Sequence, residues 1–301
     1  MKKQTDKNNI LIYNYVVTFV DLLGQKAAFE QSPKILTPDV DRNSLTQTLR
    51  QTLGKVQTVH SLFKSFHKSH QQSEPPWLQG CSPEEKSKYK EIQGSPVCRQ
   101  YFSDSIVFYA SLVNSEGQIN LRSIAEMLSA ITRCMRISFA NGIFFRGGIE
   151  IGWATIDPEI GIYGNVLNKA YKLESKIAQY PRIIVGDELL KFIKLHNQIE
   201  DNNVVHRFNT EIARRCMSLL CEDNDGRIIV DFLGNGIQNF QSPDRVADHQ
   251  CLQKFHESIN DGFKHVTNEC ERFKKKKNTK LAFRYQLLMD YYSQRLDEIA
   301  K

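Results

Sequence analysis

The sequence predicts an α+β fold: a ferredoxin-like β-α-β-β-α-β sheet with additions, followed by a C-terminal helical extension. Three observations lead there. A β-branched and aromatic run over residues 11–20 reads as an opening strand. Two further runs, 97–102 and 106–112, flank the tight turn Ser103-Asp104-Ser105 and read as a hairpin. Apolar residues at helical spacing then separate that hairpin from another strand at 143–154.

In chain order, the first strand is broken by Asp21-Leu22-Leu23-Gly24, and a helix is expected over 44–67. Residues 71–96 are polar and contain Pro, Ser and Lys, so they read as a loop-rich insertion. After the hairpin, Leu121, Ile124, Ala125, Leu128 and Ile131 mark one face of a helix. The strand at 143–154 contains Arg146-Gly147-Gly148, and a loop with Gly161 and Gly164 leads into a helix at 166–178. A strand at 182–185 and a helix at 187–196 follow; no pattern assigns 197–225, and 226–233 reads as a last strand. From Pro243 the pattern is helical only, with Leu252, Phe255, Ile259, Phe263 and Val266 as one stripe and a second helix at 281–299. The chain thus divides into an α+β unit at 10–235 and a helical extension at 243–301.

Composition excludes several classes. With 301 residues, 41% hydrophobic and 25% charged, the chain is neither disordered nor fibrous. It has no apolar run of about 18–20 residues, so no transmembrane helix and no membrane partner are expected. The apolar stretch at 10–23 is interrupted by Asn14 and Asp21 and lacks a small-residue cleavage site, which reads as a strand and not a signal peptide. A cytoplasmic location is expected. The seven cysteines include no C-x-x-C pair, a pattern of reduced thiols and not of a disulfide framework or zinc site. Net charge is +6, compatible with an anionic small ligand; the run 274–277 of lysines reads as a solvated helix end, so no nucleic-acid partner is expected. His67 and His70 have metal-compatible spacing but no matching partner nearby.

Asp21 ends an apolar strand and Asp104 sits at the hairpin tip. In a β-α-β-β sheet the first strand is expected beside the second and third, which lets the two carboxylates converge. Such a pair repels unless a cation lies between, and oxygen-only ligands suit Mg²⁺ or Mn²⁺ bound with phosphates. Singly, Asp21 reads equally as a helix cap and Asp104 as a turn residue. The backbone from Leu22 to Lys26 passes from strand to helix, where exposed N–H groups form an anion site. Asn168 and Lys172, one helical turn apart, share a face that could hold a ribose and a polyphosphate; alone they read as surface residues. Glu150 and Glu174 read as structural or solvated.

These residues carry a resemblance. Phe19-Val20-Asp21-Leu22-Leu23-Gly24, the hairpin Asp104, the strand from Arg146 to Gly152 and the run from Gly164 to Glu174 occur in the order and spacing of class III nucleotidyl cyclase catalytic domains. The chain is most similar to the bacterial pyrimidine cyclases of Pycsar antiphage systems, over roughly residues 10–235. The resemblance implies that Asp21 and Asp104, with the Leu22 carbonyl, bind two divalent ions, Mn²⁺ or Mg²⁺. It implies nucleotide contacts at Phe19, Leu23, Gly24 and Gln25, a ribose-orienting role for Asn168, and charge neutralisation by Lys172, where the family has an arginine. Lysine supplies the charge without the bidentate fork.

The base-reading positions implied by the resemblance are Gly161, seven before Asn168, and Gln100, four before Asp104. Neither the Lys–Asp pair for adenine nor the Glu–Cys pair for guanine is present. A Gln amide donates and accepts, which suits uracil or cytosine; UTP is the first choice and CTP the second. Arg99 is the neighbouring candidate and on a regular strand points to the opposite face. The implied activity converts the triphosphate to a 3′,5′-cyclic monophosphate and pyrophosphate, as second-messenger synthesis in antiphage defence, by a homodimer with shared active sites. Two other readings stand beside it: a catalytically inactive nucleotide-binding domain, favoured by Lys172, and a polymerase-like palm, opposed by the run from Gly164 to Glu174.

Overall fold

The continuous apolar run that opens the chain needs cover on both faces, and it becomes the inner strand of an eight-stranded mixed sheet. The computed structural model describes residues 10–30, 41–72, 75–91, 94–113, 121–198, 204–234 and 249–299, with 35, 37 and 119. β1 (Tyr13–Leu22) leads through the short α1 (Gln25–Glu30) and the long α2 (Arg42–Gln72) to the hairpin β2 (Cys98–Phe102) and β3 (Ser105–Ser111). α4 (Arg122–Ala140) then returns the chain to β4 (Phe145–Asp157), completing the β-α-β-β-α-β order. β1 pairs antiparallel with both β3 and β4, so β2 lies beyond β3 and not beside β1 as expected. The sheet runs β2-β3-β1-β4 and continues through β6 (Ile183–Val185), β8 (Ile228–Val230) and β7 (Leu220–Glu222).

Several expectations change. The segment read as a loop-rich insertion is largely helical: α2 extends to Gln72, a 3₁₀ turn spans Pro76–Gly80 and α3 spans Pro83–Glu91. Its cause is local. The Ser82 hydroxyl accepts from the Glu85 N–H at 3.2 Å while the Ser82 N–H donates to Glu85 Oε2 at 2.8 Å, a reciprocal capping box. The expected loop at Gly161 and Gly164 is a short strand, β5 (Gly161–Gly164), paired with the end of β4. The expected helix at 166–178 is α5 (Asn165–Lys172) followed by a wide π-turn, Leu173–Ile177, closed by the Ala178 N–H on the Leu173 carbonyl at 2.8 Å. α6 spans Asp187–Asn197, and the unassigned segment holds α7 (Val204–Met217) and β7.

Two apolar layers cover the sheet. Val16, Val20, Leu22, Ile106 and Phe108 face α2 and α4 in the main core, while Tyr15, Val17, Phe19, Val107 and Tyr109 meet Val166 and Ala170 of α5 on the other face. The terminal helices α8 (His249–Lys275) and α9 (Thr279–Ile299) contribute Phe255, Ile259, Val266, Leu288 and Tyr292 to the main core. α9 is pinned at Asp231, which accepts from the Tyr291 hydroxyl at 2.6 Å and pairs with Arg295 at 2.8 Å. Among the described residues no helix is long and apolar enough to cross a membrane.

Candidate functional site

Strand alternation sets which side chains share a face. Asp21 follows Phe19 at the same parity and pairs with Ser105 of β3 and Arg146 of β4, so its carboxylate lies on the α5 face at the end of the sheet. The Ser105 hydroxyl donates to Asp21 Oδ1 at 3.0 Å, and Arg146 Nη2 stands 3.7 Å from Asp21 Oδ2. Asp104 lies at the hairpin turn where Ser103 has φ +55°, and its carbonyl accepts the Leu22 N–H at 3.1 Å. The backbone thus sets Asp104 beside Leu22 and Asp21, at the end of the sheet. Burial raises the Asp21 carboxyl above its ordinary pKa; the Ser105 hydroxyl opposes the rise, Asp104 adds to it and Arg146 opposes it.

Glu174 joins this group. Its carboxylate is buried and binds Arg146 Nε at 2.7 Å, so one guanidinium bridges Glu174 and Asp21. Burial also raises Glu174, Arg146 opposes the rise, and the nearby Asp21 and Asp104 add to it. A sequence signal existed: an arginine inside a glycine-rich apolar strand needs a carboxylate partner once buried. The π-turn is what swings Glu174 under the sheet, and that turn has no sequence signature. Gly148 permits the approach, because a Cβ there would lie 2.4 Å from Leu173 Cβ and 2.6 Å from the Ala170 carbonyl oxygen. Glu150, by contrast, is structural: its carboxylate accepts the Ile151 N–H at 2.9 Å and the Leu189 N–H at 2.8 Å, capping the start of α6.

Gln100 and Gly161, distant in sequence, touch. The β4–β5 hairpin folds back over the α5 face, and the Gln100 amide donates to the Ile160 carbonyl at 2.8 Å and accepts the Ile162 N–H at 3.1 Å. A Cβ on Gly161 would lie 2.5 Å from Gln100 Oε1, and Gly161 has φ +89°. Gln100 pairs with Val107, which pairs with Phe19, so Gln100 shares the Asp21 face at roughly 12 Å by strand spacing and rise. Arg99 pairs with Phe108 and faces α2 instead.

Asn168 and Lys172 are exposed and share one face of α5. Val166 and Ala170 of the same helix are buried against the sheet, so at about 100° per residue Asn168 and Lys172 point away from it. Within one chain they are therefore not brought to the Asp21–Asp104 pair. Phe19 is buried and packs edge-on against Tyr171 at 5.3 Å. Gly24 turns the chain at φ +84° after the half-buried Leu23, and the Gln25 amide is directed to the Thr52 carbonyl at 3.4 Å. Of these four, the turn at Leu23–Gly24 lies nearest solvent.

Among the described residues no group of three or more His, Cys, Asp or Glu side chains is arranged to hold a metal ion. His67 instead pairs with the buried Glu126 at 3.3 Å, and burial pushes His70 down to about 3. The Asp21–Asp104 pair with the Leu22 carbonyl is an all-oxygen donor set, and the Asp104 charge near the buried Asp21 carboxyl is one that a divalent cation would offset. Those residues fit Mg²⁺ or Mn²⁺. No family model matches the chain, and no curated protein matches it.

Proposed function

We propose that the chain is a nucleotidyl cyclase acting on a pyrimidine nucleoside triphosphate, UTP before CTP, and working as a homodimer. One observation carries the reading: Asp21 and Asp104 meet at one sheet end, on the face that also holds the Gln100–Gly161 pair. In the reaction the ribose 3′-oxygen attacks the α-phosphorus, the α–β bridging P–O bond breaks and pyrophosphate leaves. Asp21, Asp104 and the Leu22 carbonyl would hold two divalent ions, which when bound acidify the 3′-hydroxyl and neutralise phosphate charge. Arg146, fixed by Glu174, orients the Asp21 carboxylate. Gln100 keeps one amide hydrogen and one oxygen lone pair beyond its bonds to Ile160 and Ile162, and these read the base.

Asn168 and Lys172 act on the substrate of the partner protomer, Asn168 on the ribose and Lys172 on the phosphates, since they face away from their own carboxylates. Exposed Ile156, Ile160, Tyr163 and Tyr171 on the hairpin and α5 supply apolar surface for that pairing. A place in antiphage signalling rests on the sequence resemblance alone. The test is to incubate the protein with each NTP and Mn²⁺ and identify products by mass spectrometry. Cyclic UMP or cyclic CMP as main product, lost in Asp104→Ala, is expected. Cyclic AMP as main product would overturn the base reading. Binding without turnover of any NTP would favour the inactive nucleotide-binding domain.

A further inference from the structure

A second cleft opens along β4, away from the carboxylates. Pairing of β4 with β6 ends at Ile149, and pairing with β5 begins at Ala154. The ladder direction between those points is fixed by its neighbours: the Gly147 N–H donates to the Arg182 carbonyl and the Ile149 carbonyl accepts from Gly186, so odd residues of β4 face this edge. Ile151 and Trp153 are the odd residues left between. The Ile151 N–H is taken by the Glu150 carboxylate. The ladder supplies no partner to the Ile151 carbonyl or the Trp153 N–H, an acceptor and a donor two residues apart on one open edge.

The surroundings are those of a ligand site. A cavity of about 260 Å³ borders this edge, with Trp153, Phe192 and Leu112 in its walls, Asn165 at the start and Lys169 in the last turn of α5, and Glu188 from α6. Trp153 is 52% exposed, an unusual value for so large an apolar residue, and lies open to solvent beside the edge. An open edge of this kind also accepts a peptide strand, but two ladder groups are too few for strand addition. A planar heterocycle with an adjacent donor and acceptor satisfies both groups at once, aromatic walls stack on it, and a lysine suits an attached phosphate.

We infer that this cleft is a binding site for a mononucleotide, its base edge on the Ile151 carbonyl and Trp153 N–H and its phosphate at Lys169. The site is separate from the proposed catalytic centre and does not depend on that assignment. The test is titration of the full chain with 5′-UMP, 5′-CMP, 5′-AMP, 5′-GMP, uridine and inorganic phosphate in EDTA, which removes metal-dependent binding elsewhere. Indole fluorescence reads it, and a Trp153→Phe protein assigns the signal between the two tryptophans. Saturable quenching from Trp153 by at least one mononucleotide is expected. Lys169→Glu should weaken that binding about tenfold or more, the equivalent of one charge-assisted contact. Phe192→Ala should weaken nucleotide and nucleoside alike, and Asp21→Asn should change neither. Circular dichroism checks that each variant is folded. The inference fails if no mononucleotide quenches Trp153, if phosphate alone binds, or if binding survives Lys169→Glu and is lost in Asp21→Asn.

Discussion

Gly161 is defined by what surrounds it. Its φ of +89° is costly for any L side chain, and its missing Cβ leaves room for the Gln100 carbonyl oxygen. Gly161→Ala should therefore destabilise the protein by about 1–2 kcal/mol and turn the Gln100 amide out of place. Urea denaturation reads the first effect, and the ratio of UTP to ATP turnover reads the second, which should fall. An unchanged ratio with a displaced midpoint would make Gly161 a structural residue only. Both positions were named one at a time through the family resemblance, by their offsets from Asp104 and Asn168. Their contact was not, because it depends on how far the β4–β5 hairpin twists back across the sheet. Glu174 was passed over for the same reason: its burial follows from a π-turn that hydrophobic periodicity does not register.

Among the elements, α5 with its π-turn has the most demanding seat. It lies directly on the glycines of β4, and Gly148 has no space for even one methyl. Gly148→Ala should lift the π-turn from the sheet, separate Glu174 from Arg146 and cost about 1–3 kcal/mol, as overpacking does. Thermal unfolding checks the cost, and loss of cyclic nucleotide formation at temperatures where the protein stays folded checks the geometry. β1, β3 and α4 were legible from a near-continuous apolar run or a clear helical stripe, whereas the polar β2 was legible only through the turn at Ser103–Ser105 that joins it to β3. The elements from 71 to 96 were not read as helical although Ser82 and Glu85 spell a capping box; the polar composition of α3, with only Tyr89 buried, outweighed that signal.

At the scale of the molecule, the outward face of α5 decides how many chains make a site. Asn168 and Lys172 point away from the carboxylates beneath their own helix, so on the proposed cyclase reading two protomers would exchange them under two-fold symmetry. An Asp21→Ala protein mixed with an Asn168→Ala protein, each inactive alone, should regain up to about a quarter of wild-type activity per total protein after random subunit exchange. Activity measured after mixing, with exchange followed by light scattering of tagged subunits, checks this. No recovery despite exchange would sink the shared-site arrangement.

The anchoring of α9 at Asp231 bears on how the chain reaches its native state. α4, near the middle of the sequence, is covered by α8, which starts more than a hundred residues later, and β1 waits for β4 before its second edge is filled. Contacts of such sequence separation form slowly, because long loops must close before any burial compensates the lost entropy. During synthesis the flank of α4 that α8 covers therefore stays open to water until residues 249–275 leave the ribosome, at about 5–20 residues per second. The nascent chain thus passes through seconds in which a wide apolar surface is uncovered, and its yield in cells should rise when chaperone capacity is raised.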